Sequence, residues 1–430
     1  MINNFRSKID DGIYMNLINT DKFKTNLVSI YIVRPLLREE ATKNALLPLV
    51  LRRGSERYRT SLNIQKELDK LYGGNLNVSV TKKGERQIIR FAIEIVNSKF
   101  IKEDSLFDKS LKILNEIINN PLINDGKFDD KYVEQEKRNL VDRIKSRIND
   151  KKSYAVDRCI EEMCKNENYS IYKFGFIEDI KDIDSESLFT HYKKIIETSP
   201  IEINIVGNIP KDYALKAAEK YLSFQRQEII NIPRENVLKD IQTKNRIYEE
   251  MEVNQGKLTI GFRTNIPYED DLYEGIILAS NLLGGGTNSK LFKNVREKES
   301  LAYYIYAKTY KLKSLMIIAS GIEFENFDKT LDIIKKQVEE LKEGTFTDED
   351  IKHSKNAIVT SIRSMIDSNY SLSEFYFTQI LTNESKSINE MIDKIRGVTK
   401  ENIIKAAQKI SLDTIYFLKN KREMEEEKVE

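Results

Sequence analysis

The sequence predicts an α+β fold of two homologous domains, each an antiparallel or mixed β-sheet packed against helices. Three observations predict it. Segments roughly 210 to 220 positions apart resemble one another in the same order along the chain. Stretches with the two-residue period of half-buried strands lie on either side of a block with helical period in both halves. No regular strand, helix, strand alternation is present, which argues against a doubly wound parallel sheet and for helices gathered on one face of each sheet.

The 430 residues, 40% of them hydrophobic, suffice for two domains with separate cores. Lys plus Arg (70) and Asp plus Glu (68) leave a formal charge of +2, so no bulk field draws in nucleic acid or anionic lipid, and neither is expected as a partner. The opening MINNFRSKIDDGIYMN has no long apolar core or small-residue cleavage site, and no apolar run is long enough to span a bilayer. A cytoplasmic protein without membrane contact is expected, and the Lys, Ile, Asn and Glu bias suggests a bacterial source. Cys159 and Cys164 match neither a redox pair nor a zinc-ligand set and read as buried thiols.

Taken in order, Val28 to Ile32 and Leu258 to Phe262 alternate as strands, and hairpin-type stretches run from Gln87 to Val96 and from Tyr303 to Ser320. FDKSLKIL from Phe107 reads against FDKTLDII from Phe327, both amphipathic helices facing a core. Phe128, Val133, Lys137, Leu140, Val141 and Ile144 find Phe346, Ile351, Lys355, Ile358, Val359 and Ile362 at matching spacing, as long helices after acidic turns. Ile180 to Glu186 parallels Ile395 to Glu401, with Asp184 and Thr399 as expected N-caps. Strands then follow at Ile201 to Ile205 and from Ile415. The expected domains are residues 1–222 and 246–430, joined by a polar connection over 223–245 that contains Pro233, and the charged tail from Lys419 is expected to be solvated.

The sharpest local feature is Leu282-Leu-Gly284-Gly285-Gly286-Thr-Asn-Ser289-Lys-Leu-Phe292, followed by Val295-Arg296-Glu297-Lys298-Glu-Ser-Leu301-Ala302-Tyr303. It lacks the Walker pattern and has no strand immediately before the glycines, which argues against a phosphate loop. A helix C-cap with a tight turn, a short helix and a strand account for it locally. Taken alone, Arg296 and Tyr303 read as a surface salt bridge and a core tyrosine. No nucleophile elbow or dinucleotide fingerprint occurs, and no Cys-His pair can be placed together.

The string G-G-G-x-x-S-x-L-F with V-R-E-K-x-x-L-A-Y resembles the C-terminal domain of the pitrilysin/insulinase metallopeptidases, whose duplicated α+β architecture also fits the repeat. The resemblance covers essentially the whole chain. It implies that Arg296 and Tyr303 lie across a cavity from the metal and hold the substrate backbone and its polarised carbonyl. A guanidinium and a phenol suit that task as hydrogen-bond donors. The segments VLRRGSERY and KKGERQ are similar to a bacterial subgroup associated with elongation factor P 5-aminopentanol modification.

Family peptidases carry H-x-x-E-H on a helix before a Gly-Thr or Gly-Ser pair. Here that helix reads Asn44-Ala45-Leu46-Leu47-Pro48-Leu49-Val50-Leu51-Arg52-Arg53-Gly54-Ser55, so Ala45, Pro48 and Leu49 stand at the two imidazole positions and the carboxylate position between them. The family's distal glutamate ligand aligns with Arg143, whose cation would oppose zinc. His191 and His353, the two histidines of the chain, lie in different halves and read as solvated helix residues.

The resemblance therefore implies a non-catalytic subunit of a two-component zinc peptidase. It has no metal or other cofactor of its own, and it pairs as a heterodimer with a homologous H-x-x-E-H subunit that holds the zinc. This chain would supply Arg296 and Tyr303 to the peptide substrate. The alternative is a structural or peptide-binding scaffold with no peptidase role. Independent catalysis by the chain has no residue constellation behind it.

Overall fold

The structure is a computed structural model and describes residues 2–101, 103–241 and 243–421. Within those residues the chain gathers into two compact units that interleave in sequence. One takes in Met1–Lys145, Ile171–Pro233 and Met365–Asn383, the other Ser146–Ser170, Arg234–Ser364 and Glu384–Glu430.

In the first unit, strands β1 (Asn3–Asp10), β2 (Ile13–Asn19), β3 (Thr25–Pro35), β4 (Asn75–Lys83), β5 (Arg86–Val96) and β6 (Ile201–Gly207) form a sheet of order β1-β2-β6-β3-β5-β4. Its one parallel pair is β2 with β6. The second unit holds β7 (Asn245–Met251), β8 (Gly256–Arg263), β9 (Ala302–Tyr310), β10 (Leu315–Ile322) and β11 (Ser411–Asn420), in the order β9-β10-β8-β11-β7. There the parallel pair is β7 with β11. With β1 set aside, the two sheets have the same strand order and the same parallel pair, which is the structural content of the sequence repeat.

Helices α1 (Ala41–Leu51), α2 (Leu106–Asn119), α3 (Asp130–Lys145), α4 (Lys151–Met163) and α5 (Ser185–Thr198) come from the N-terminal half of the chain. Their counterparts include α6 (Tyr273–Gly284), α7 (Phe327–Lys342), α8 (Asp348–Met365), α9 (Asn369–Thr382) and α10 (Lys400–Gln408). The repeat extends to single hydrogen bonds. Lys137 on α3 donates to the Ile183 carbonyl at 2.8 Å, and Lys355 on α8 donates to the Val398 carbonyl at 2.6 Å. Asp184 and Thr399 cap α5 and α10 by accepting from the backbone N–H of Ser187 and Asn402, as expected from sequence.

The helices do not all lie on one face of each sheet. Successive residues of a strand point to opposite faces. In β3, Val28, Ile30 and Ile32 join the main core, while Tyr31 and Val33 pack with Phe377 of α9 on the other face. Tyr31 stacks on Phe377 at 4.0 Å between ring centroids, and its hydroxyl lies 2.9 Å from Ser373 Oγ. In the second unit Met316 and Ile318 of β10 enter the main core, whereas Leu315, Ile317 and Ala319 pack with Val156, Ile160 and Met163 of α4. Each sheet thus receives its second-face helix from the other half of the sequence: α4 from residues within 1–222 and α9 from residues within 246–430.

The segment after α4 is held by charge as well as packing. Glu167 accepts from Arg263 Nη2 at 2.7 Å and from Lys313 Nζ at 2.6 Å, while Arg263 Nε reaches Asp413 at 2.9 Å. These side chains are nearly water-free, so losing one partner would strand a buried charge. Cys159 and Cys164 are buried on and just after α4, and burial pushes the Cys159 thiol up, away from reactivity.

The expected connection over 223–245 is ordered along much of its length. Phe224 enters the first unit's core, Gln227 and Ile230 donate to the Glu197 and Thr198 carbonyls, and Asn245 already belongs to β7. Of the charged tail, Lys419 and Asn420 end β11, and residues 422–430 lie outside the described residues.

Candidate functional site: an apolar helix and an exposed turn

The first candidate is α1, in the first unit. Ten of its eleven residues are buried, and Ala45 and Leu49 sit in the main core of the first unit at 1% and 6% exposure. Pro48 lies inside the helix, where it removes the bond to the Asn44 carbonyl and costs about 3 kcal/mol. Burial of Leu46, Leu47, Leu49, Val50 and Leu51, at roughly 1.5–3 kcal/mol each, outweighs that cost. The helix survives its proline because packing, not propensity, holds it.

Ala45, Pro48 and Leu49 offer a methyl, a pyrrolidine ring and an isobutyl group, none of which has a lone pair to give a metal. Arg143 on α3 is exposed, with its guanidinium 5.2 Å from the Phe174 ring centroid. These residues do not fit a zinc ion. Among the described residues, no group of three or more His, Cys, Asp or Glu is placed to hold a metal.

Sequence reasoning missed two features beside these positions. Glu136, buried one turn before Leu140 on α3, accepts from Arg53 Nε just past α1 and from Asn139 at 3.1 Å. An ion pair thus joins α3 to the segment just past α1. Glu136 was visible in the same α3 string as Arg143, but nothing in the string said it would be buried.

The second feature corrects an expectation. His191 is not solvated; it is buried on α5, and its Nε2 lies 2.8 Å from Asn44 Oδ1 on α1. Asn44 Nδ2 in turn donates to Gln87 Oε1 at 2.9 Å, and Gln87 Nε2 donates to the Ala41 and Lys173 carbonyls. Burial pushes the His191 imidazole down to about 4, so it is neutral near pH 7. A lone histidine on an amphipathic helix carries no mark of this network. His353 is exposed on α8, as expected.

The second candidate is the turn after α6, in the second unit. A Cβ on Gly284 would lie 2.3 Å from the Ala307 backbone nitrogen, so glycine here lets α6 press against β9. Gly285 is the C-cap, donating to the Asn281 carbonyl at 2.7 Å with negative φ, and Gly286 alone of the three adopts positive φ, at +150° in open space. Each glycine therefore has its own structural reason. Phe292–Lys298 winds as a π-helix, a wider turn than the expected short helix.

That π-helix presents Arg296 to solvent. Its guanidinium lies 5.0 Å from the Phe292 ring centroid, and among the described residues it makes no ion pair. Tyr303 is 54% exposed, so it is not a core tyrosine. In the β9–β10 ladder Ala302 faces Ile322 and Tyr304 faces Gly321, which makes Tyr303 the extra residue of a β-bulge. Ala302, Ile305 and Ala307 face the α6 core while Tyr306 and Tyr310 pack toward α4, and the bulge takes Tyr303 out of that alternation. Its hydroxyl donates to Glu323 Oε1, and this hydrogen bond, followed by the carboxylate's charge, raises the phenol above its ordinary range.

One unit thus holds an apolar, ligand-free helix, and the other holds an exposed guanidinium and phenol. Comparison with known proteins gives the chain a lineage. The chain is 38% identical over 419 residues, 97% of its own length and 98% of the relative's, to a Bacillus subtilis protein described as a probable inactive metalloprotease, YmfF. The chain belongs to the pitrilysin/insulinase, or M16, peptidase family. A family model described as the peptidase M16 inactive domain matches residues 182–358. Among solved structures, a conserved protein from Enterococcus faecalis superposes with a TM-score of 0.89 at 25% identity, covering 97% of this chain and 99% of that one. A peptidase M16 inactive domain structure from Pseudomonas fluorescens superposes with a TM-score of 0.79 at 15% identity, covering 97% and 98%. As an M16 member the chain is of the inactive kind, without the H-x-x-E-H motif. No helix among the described residues is long and apolar enough to cross a membrane.

Proposed function

We propose that this chain is the non-catalytic subunit of a two-component zinc peptidase, paired with an H-x-x-E-H homologue that carries the metal. Arg296 and Tyr303 contribute to binding the peptide backbone and polarising its carbonyl, with Gly284, Gly285 and Gly286 shaping the turn that carries them. The observation behind this reading is an asymmetry. The zinc-site positions Ala45, Pro48 and Leu49 have become buried packing residues, while Arg296 and Tyr303 remain exposed and polar. An exposed arginine without an ion partner contributes little to stability, so its presence is more readily explained by binding.

The test is to copurify the chain with an H-x-x-E-H homologue and assay peptide cleavage with each alone and with both together. Cleavage is expected only in the mixture, with Arg296→Ala lowering kcat/KM by about 10²-fold. A mixture no more active than the homologue alone, or one insensitive to Arg296→Ala and Tyr303→Phe, would sink the reading in favour of a scaffold without peptidase role.

A further inference from the structure

The second unit holds a contact that the proposed function does not use. Tyr303 leaves the β9 ladder at its bulge, and the hydroxyl it carries outward is not free: it donates to Glu323, the residue immediately after β10. Gln255, just before β8, is close to the phenol, and its Oε1 accepts from Lys257 Nζ at 3.0 Å. Side chains from beside β10 and β8 thus gather around the exposed phenol that β9 carries. Glu325 adds a second negative charge nearby, and Lys257 is the cation facing Glu323.

A phenol has a single proton to donate. While Glu323 accepts it, Tyr303 cannot donate to a peptide carbonyl. We propose that Glu323 is a positioning residue that latches Tyr303, so that a bound peptide carbonyl must displace the carboxylate to recruit the phenol. This inference rests on the reading of Tyr303 as a peptide-binding donor. The latch also has a use in the unliganded chain, because it fixes the rotamer of an exposed aromatic side chain and spares part of the ordering cost when peptide arrives. No bond is made or broken beyond this exchange of one hydrogen-bond acceptor for another.

The experiment uses the full chain as wild type, Glu323→Gln, Tyr303→Phe and the double variant, with circular dichroism as a folding control. Glutamine keeps the shape of the acceptor but removes its charge. First, tyrosines labelled with carbon-13 at Cζ are titrated by NMR, with Tyr303→Phe assigning the Tyr303 signal. Glu323→Gln is expected to lower the pH at which that signal titrates.

Second, each variant is mixed with the H-x-x-E-H homologue and peptide cleavage is measured. Glu323→Gln is expected to lower KM about three- to tenfold with kcat nearly unchanged, and Tyr303→Phe to abolish the difference between Glu and Gln at 323. An unchanged titration of Tyr303 in Glu323→Gln would overturn the latch. A shifted titration with unchanged KM would overturn its displacement by peptide. Should the mixture show no cleavage beyond the homologue alone, the two-component reading fails, and the titration still decides whether Glu323 holds the phenol.

Discussion

The two units share strand order and parallel pair, yet they treat the helix that follows their second aligned strand in opposite ways. In the first unit α1 is buried almost throughout and is followed by Arg53, which pairs with buried Glu136. In the second, α6 is equally apolar but ends in three glycines, after which the chain rises into an exposed π-helix and a bulged strand. The first unit commits its helix to the core, while the second presents polar groups at the surface. The difference teaches that matching helices of one scaffold can end differently: α1 lies in the core with an ion pair beside it, while α6 leads to exposed polar groups.

That comparison can be broken most decisively by rebuilding what is missing. Installing the family ligands with Ala45→His, Pro48→Glu and Leu49→His together should destabilise the chain by about 4 kcal/mol or more, since it overpacks a filled core and buries polar groups. Thermal unfolding with and without zinc reads this, and a stable variant that binds zinc stoichiometrically would show that the site was merely unfurnished, not remodelled.

A somewhat smaller loss is expected on the second face of the first sheet. Phe377→Ala should cost about 3–4 kcal/mol in urea unfolding, because the ring is fully buried against Tyr31. A cost under about 1 kcal/mol would mean that α9 is a peripheral attachment.

Next comes the buried amide and imidazole network around α1. Asn44→Ala leaves Gln87 and His191 without their shared partner and should cost about 1–3 kcal/mol. The imidazole also sets a pH dependence. The folded His191 titrates near 4. Its unfolded counterpart titrates near 6.5, so the unfolded chain takes up the proton first as pH falls. Stability should therefore decline from about pH 6.5 toward pH 4, by about 3 kcal/mol at most, and His191→Gln should remove that part of the slope. Equal slopes in the two proteins over this window would place a charged imidazole in the fold.

At the small end, Arg296→Ala should change stability by less than about 0.5 kcal/mol, because its guanidinium is exposed and makes no ion pair among the described residues. A large loss of stability would turn Arg296 into a structural residue and erase the contrast between the units.

Much of the fold is legible in the residues. The repeat at Phe107 and Phe327, the N-caps at Asp184 and Thr399 and the paired lysines at 137 and 355 follow from local pattern, and the structure contains each of them. The helices α4 and α9 are different. The period of α4 announces one buried face and α9 carries apolar side chains all round, but neither pattern says which sheet will cover it, and each lies against strands from the other half of the chain. At the candidate site, the absence of ligands at Ala45, Pro48 and Leu49 is plain from residue type alone. The burial of His191 and Glu136 is not, because a polar residue on a helix reads the same whether its partner is water or another side chain.

Residue identity and spacing by themselves determined the duplicated α+β scaffold, the family resemblance and the lack of a zinc-binding set, since propensity, period and donor chemistry are local properties. Tertiary structure alone decided the exchange of α4 and α9, the neutral histidine beneath α1 and the bulge that sets Tyr303 against Glu323. Those depend on which distant segments meet and at what register, where a one-residue slip changes the face a side chain occupies.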